Sequence, residues 1–172
     1  MISKKVCVIG DFAVGKSSLI RRYVLNEFST DYHATLGVNI HKYSDDVSTH
    51  GGGTEALNLI IWDVEGGEPD SGKVETYLQG AAGAIVVGDV TRPDHAASMA
   101  GHAALFQKLR PGRPVIFAIN KIDLLDGTPE TSEGIGLANE FGTETVYTSA
   151  ADGTAVPELF RTLGTRILQI GA

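Results

Sequence analysis

Apolar residues in this chain follow two patterns. Some form short unbroken runs ending at Gly, Asp or Asn, and others recur every three or four positions. The first pattern predicts buried strands and the second amphipathic helices. The run KKVCVI, Lys4 to Ile9, stops at Gly10, and KSSLIRRYVL beyond it places Leu19, Ile20, Tyr23 and Val24 on one helical face. That reads as strand, loop and helix. A second strand is expected from about Gly37 to Val47. A third, EALNLIIWDV, follows the turn signal THGGGT at Thr49 to Thr54, and the two are expected to form a hairpin.

Beyond them, EGGEPDSGK (Glu65 to Lys73) predicts a loop and then a weak helix reaching Gly80. AAGAIVVGDV and VIFAIN are continuous apolar runs of the kind that parallel strands covered on both faces require. A helix is expected from Asp94 to Leu109, with Pro93 and Asp94 in its first turn. Another is expected with Thr128 as cap, Pro129 at its first position and Gly142 as its stop. TETVYTSA predicts a last strand. VPELFRTLGTRILQI predicts a closing helix with Val156, Leu159, Phe160, Leu163, Ile167 and Ile170 turned inward. Strands alternating with helices predict an α/β fold, a doubly wound sheet with right-handed crossovers.

Composition narrows the picture without redirecting it. A chain of 172 residues with 42% apolar and 20% charged side chains suits one folded domain spanning 1–172. A net charge of −7 argues against nucleic acid as a partner, since such binding rests on clustered Lys and Arg. Cys7 is the only cysteine and lies in an apolar run, so it is expected to be a buried structural thiol in a reducing, cytoplasmic setting. MISKKVCVIG is too short in apolar residues for a signal peptide. No run reaches the roughly 18 residues of a membrane span, and RILQIGA offers no cysteine for a lipid anchor. A monomer without an intrinsic membrane anchor is the expectation.

Candidate chemistry sits where the apolar runs end, as ligand sites of open α/β sheets do. Gly10-x-x-x-x-Gly15-Lys16-Ser17 has the pattern of a phosphate-binding loop. In such a loop the main-chain N–H groups of Asp11, Phe12, Ala13, Val14, Gly15, Lys16, Ser17 and Ser18 wrap phosphates, Lys16 reaches the outer ones, and Ser17 offers a hydroxyl to Mg²⁺. Asp63 ends the third strand, where a carboxylate serves the Mg²⁺ shell, and Gly66 places an N–H at a terminal phosphate. Asn120 to Asp123, NKID, follows VIFAI. Asp123 can accept from the two adjacent donors of guanine, Asn120 can engage N7, and Lys121 can lay its stem along the base. In TSA, Thr148 to Ala150, the small residues Ser149 and Ala150 allow a main-chain N–H to meet guanine O6.

With these motifs in this order, the chain resembles a small GTPase of the Ras superfamily, nearest to its Rab and Ras branches. GDFAVGKSS, YHATLGVN, WDVEGGE, NKID and TSA carry the resemblance over essentially the whole chain. It implies the P-loop fold with a six-stranded, mostly parallel sheet, one antiparallel edge strand and about five helices. It also implies a GTP/GDP switch with Mg²⁺ bound by Ser17, Thr35 and Asp63. Phe28 would contact the guanine face, Tyr32 would lie over the phosphates, and Lys16, Thr35, Gly66 and Gly67 would form the hydrolytic centre. Segments 28–38 and 63–76 would be the switches that meet effector proteins, with activating and exchange factors as further partners.

The chain departs from the family pattern at several points. Gly67 stands where the family carries the glutamine that orients the attacking water, a loss worth about 10- to 1000-fold in rate. Glu65 adds a negative charge where a small residue is usual, Phe12 places a ring where an arginine finger would enter, and Ala151 replaces a frequent lysine. Glu68 is an alternative water-orienting group. Two functions stay open on this evidence: a switch with slow intrinsic hydrolysis, and a non-catalytic nucleotide-bound scaffold. NKID argues against a third, an adenine-specific kinase. His33, His95 and His102 are expected on solvated surfaces, Asp45 and Asp46 at a hairpin's solvent edge, and Trp62 in the core.

Overall fold

The computed structural model describes residues 1–69 and 72–171. Its strands are β1 (Ile2–Gly10), β2 (Val38–Ser48), β3 (Thr54–Val64), β4 (Gly83–Asp89), β5 (Val115–Asn120) and β6 (Thr145–Tyr147). Its α-helices are α1 (Lys16–Leu25), α2 (Glu75–Leu78), α3 (His95–Leu109), α4 (Ser132–Phe141) and α5 (Val156–Gly171). The strands form one six-stranded sheet in the order β2-β3-β1-β4-β5-β6. Every pair is parallel except the β2–β3 hairpin, which is antiparallel from Val38 opposite Val64 to Ser48 opposite Thr54.

Alternation along β1 explains the layers. Val6 and Val8 face one core with Leu19 and Ile20 of α1 and Leu159, Phe160 and Leu163 of α5. Cys7 and Ile9 face the other, with Leu78 of α2, Met99 and Phe106 of α3, and Leu137 of α4. Cys7 is fully buried there, and burial pushes its thiol up to about 12, which leaves it an inert core residue as expected. The chain winds away from β1 in both directions, so the carboxyl ends of β1, β3, β4 and β5 frame one crevice.

Several boundaries differ from the expectations. α4 begins at Ser132, with Thr131 rather than Thr128 as its cap. The Thr131 hydroxyl accepts from Gly134 N at 3.1 Å, and its own N–H donates to Tyr147 Oη at 3.1 Å. A contact from β6 therefore decides where the helix starts, and Pro129 stays in the preceding loop. β6 is only three residues long, because Thr148 to Ala150 leave the ladder and turn toward the crevice. Ile170, expected inward, is 49% exposed, since the last turn of α5 runs past the sheet.

The polar expectations shift as well. Asp46 is exposed, but Asp45 accepts from Tyr23 Oη at 2.7 Å and pairs with Arg161 Nε at 2.8 Å, tying β2 to α1 and α5. Trp62 is half-buried at the edge of the second core, with Lys5 Nζ 3.6 Å above its ring. His33 is exposed as expected. His95 and His102 are buried instead, because the α3 face that carries them lies against the sheet's carboxyl end. Among the described residues, no helix is long and apolar enough to cross a membrane.

Candidate functional site

A cavity of about 860 Å³ opens where β1, β3 and β5 end, and the loop Gly10 to Lys16 forms its floor. The backbone of that loop is bent tightly. Ala13 has φ 60° and Gly15 φ 102°, both left-handed, and Gly15 packs so closely on the Asn120 carboxamide that a Cβ would collide with it. The bend feeds directly into α1, whose Gly15 cap supplies no side-chain acceptor. The first-turn N–H groups of α1 thus remain donors without an internal partner, and the positive end of the helix dipole adds to them. This is an anion-binding arrangement.

Lys16 is only 6% exposed, and its Nζ donates to the carbonyls of Asp11 at 2.6 Å and Gly10 at 3.2 Å. Burial lowers its pKa to about 8, with Asp63 and Asp11 pulling the other way. Gly66 lies against this group. A Cβ there would stand 2.8 Å from Phe12 Cα, 2.9 Å from Lys16 Nζ and 3.0 Å from Asp11 O. Only glycine lets the segment after β3 come so close to the loop Gly10 to Lys16.

A cluster of hard oxygen donors sits beside the lysine. Ser17 Oγ donates to Asp63 Oδ2 at 2.5 Å and lies 2.8 Å from Thr35 Oγ1. Asp63 is 1% exposed, and burial raises its carboxyl above the usual carboxylate range against the hydrogen bond from Ser17 and the charge of Lys16. Its Oδ1 is buried with no hydrogen-bond partner among the described residues. Three oxygens with one unsatisfied carboxylate atom fit a small divalent cation such as Mg²⁺, which prefers oxygen ligands.

At the far end, Asn120 acts as a clamp. Its Nδ2 donates to Val14 O at 3.1 Å, and its Oδ1 accepts from Thr148 Oγ1 at 3.1 Å and Ala150 N at 3.3 Å. Lys121, left-handed at φ 69°, donates to Ala13 O at 2.9 Å and pairs with Asp89 at 3.0 Å. Asp123 lines the cavity and accepts from Ser149 Oγ at 2.9 Å. NKID and TSA are thereby bound to each other and to the phosphate loop.

The expected site residues fall into two groups. Phe12, Ala13, Gly15, Lys16, Ser17 and Ser18 line the cavity. So do Phe28, Tyr32, Thr35, Asp63 and Gly66, and so do Asn120, Lys121, Asp123 and Ala150. Four residues do not. Val14 is in the core, Ser149 is buried behind Asp123, Gly67 lies outside the lining, and the Asp11 carboxylate turns away toward α3. Phe12 meets Tyr32 edge-on, with ring centroids 5.9 Å apart at 71°. Glu65 does not line the cavity, and its N–H donates to Gly37 O at 2.7 Å. Within the second switch, residues 70–71 lie outside the described residues.

Sequence reasoning missed Asp89, Ser98, His102, Asn39 and His41. Asp89 carried the same signal as Asp63, an acid closing an apolar run, and it anchors Lys121. Asn39 and His41 line the cavity from β2, a strand whose alternation looked unremarkable.

Residues 5–169 match the family model described as Ras family. The chain is 38% identical to the Ras-related protein RABA5e of Arabidopsis thaliana over 159 residues, covering 91% of this chain and 70% of that protein. It is 30% identical to the GTP-binding protein ypt3 of Schizosaccharomyces pombe, covering 96% and 76%. It is also 30% identical to the Ras-related protein Rab-31 of Mus musculus, covering 97% and 84%.

Proposed function

Because the chain belongs to the Ras family of GTP-binding switches that hydrolyse GTP to GDP, we propose that the cavity over Gly10 to Ser17 is its nucleotide site. On this reading residues 1–172 act as one G domain, monomeric and cytoplasmic. The loop amides and Lys16 hold the phosphates, and Asp123 with the Ala150 N–H reads guanine. Ser17, Thr35 and Asp63 would hold Mg²⁺, which neutralises developing charge on the phosphate oxygens when bound. The observation that carries this is the Ser17, Thr35 and Asp63 oxygen cluster beside the buried Lys16 ammonium.

Hydrolysis is the in-line attack of a water oxygen on the γ-phosphorus. An O–P bond forms and the bond to the β–γ bridging oxygen breaks, so that GDP leaves with that oxygen and its electron pair. The water keeps one proton on the new phosphate and passes the other to a phosphate oxygen. The chain's contribution is to position and to stabilise charge. Lys16 and the loop amides would face the phosphate oxygens, and Gly66, which lies close against Lys16 Nζ, would offer its main-chain N–H to the outer phosphate. Gly67 has no side chain to orient the water, so we propose slow intrinsic turnover. The same absence supports a second reading, a nucleotide-bound scaffold without useful hydrolysis. Effectors would meet segments 28–38 and 63–76, where Tyr32 is 59% exposed and Leu36 83%.

Identifying the copurifying nucleotide and following single-turnover [γ-³²P]GTP hydrolysis beside a Gly67→Gln variant separates these readings. A slow parent and a variant about tenfold faster or more support the switch. No hydrolysis in either supports the scaffold. Failure of GTP and GDP to bind, or displacement by ATP, removes both.

A further inference from the structure

The phosphate-loop side chain that leaves the nucleotide cavity is the most informative one. Asp11 directs its carboxylate to α3, where Ser98 Oγ donates to Oδ2 and His102 Nε2 lies 2.8 Å from Oδ1. His102 is 2% exposed. Burial lowers its pKa, whereas Asp11 raises it, and Lys16 is the other charged group facing it. Its Nδ1 is buried with no hydrogen-bond partner among the described residues. On the residue before it, a Cβ on Gly101 would come within 2.9 Å of Pro69 Cγ. Ser98, Gly101 and His102 are spaced three and four apart and so form one stripe of α3. That stripe touches the phosphate loop through Asp11 and the second switch through Pro69.

We propose that His102 is a positioning residue for GTP hydrolysis, joining the phosphate loop to the second switch by holding the Asp11 carboxylate from the α3 stripe on which Gly101 seats Pro69. The proposal rests on the reading of the cavity as the GTP site. Its logic follows from Gly67. With no side chain, this position cannot anchor itself over the phosphates, and only its main chain can be held. A buried imidazole held by a carboxylate of the phosphate loop fixes the α3 stripe against which Pro69 lies, two residues after Gly67, and so restricts the Gly66–Gly67 segment. Gly101 permits this by letting Pro69 lie flush on the helix. Among the described residues His102 hydrogen-bonds none of Lys16, Ser17, Thr35, Asp63 or Asp123, so its effect reaches the reaction through the Asp11 carboxylate and the Pro69 contact of its helix stripe.

The test compares the full chain with His102→Phe, which keeps a ring but removes both nitrogens, and with Gly101→Ala, which keeps His102 but pushes on Pro69. Alanine favours a helix over glycine, so the second variant is expected to stay folded. Both variants are expected to bind GDP within about threefold of the parent, yet to hydrolyse GTP about tenfold more slowly in single turnover. Amide hydrogen exchange of the peptide spanning Gly66 and Gly67 is expected to quicken in both. Hydrolysis within about twofold of the parent together with unchanged exchange overturns the proposal. So does a loss of GDP affinity as large as the loss of rate, which marks a merely structural role. Absence of GTP binding in the parent is a different failure, that of the site assignment, and leaves the exchange comparison to judge the seam.

Discussion

Ser17 Oγ and Asp63 Oδ2 lie 2.5 Å apart although 46 positions separate them in the chain. The contact joins the first turn of α1 to the end of β3 and aims both oxygens, with Thr35, at one point. Ser17→Ala leaves the buried Asp63 carboxylate short of a partner, a cost of about 1–3 kcal/mol. Nucleotide affinity in Mg²⁺ is expected to fall by about 5- to 100-fold, and release of a fluorescent GDP analogue is expected to lose most of its response to EDTA. A variant whose release still accelerates in EDTA as the parent's does would remove Ser17 from the cation site.

Lys16 links nucleotide binding to pH. Its folded pKa, about 8, lies below the ordinary 10.5. Between those values the unfolded chain binds more protons than the folded one, so nucleotide-free protein gains stability as pH rises from about 8 to 10.5. Phosphates beside the ammonium favour its charged form, so binding takes up protons and affinity falls as pH rises above about 8. Calorimetry of GDP binding in buffers of different ionisation enthalpy measures this uptake near pH 8.5, and Lys16→Ala is expected to abolish it.

Gly15→Ala tests the bend of the loop. It places a side chain at φ 102° and into the Asn120 carboxamide. The expected cost is about 1–3 kcal/mol of stability, together with loss of GDP binding, because Asn120 also holds Val14 and Ala150. Denaturant unfolding and equilibrium binding report the two effects. Parent-like affinity would show that the loop tolerates another path.

Phe12 and Tyr32 form an aromatic contact between the loop after β1 and the segment that precedes β2. Such a pair is worth about 0.5–1.5 kcal/mol beyond its buried area. Phe12→Gly and Tyr32→Ala are each expected to speed GDP release by about two- to tenfold, with the double variant no faster than the quicker single one. Additive effects in that cycle would mean that the two rings act separately.

Some of this was legible in the chain because its causes are local. Gly15 must be glycine for the left-handed bend, and the apolar runs before Gly10, Asp63 and Asn120 announce strands whose ends hold the chemistry. The six-stranded order with one antiparallel hairpin follows the family resemblance. What escaped depended on distant partners. His102 looked like a solvated histidine until α3 was seen against Asp11. Thr131 displaced Thr128 as a cap because Tyr147 holds its N–H. Asn120, read as a contact to the base, spends its carboxamide on Val14, Thr148 and Ala150.

The sequence by itself determined the strand–helix alternation, the phosphate loop and the order of the nucleotide motifs. Each of these rests on periodicity or on backbone freedom within a few residues. Only the tertiary structure decided which side chains those motifs spend on one another, because that depends on strand register and on how each helix is rotated about its axis. The rotation of α3 buries His102 against the phosphate loop and lays Gly101 under Pro69. No local pattern encodes that rotation, since it is chosen by packing against the whole sheet.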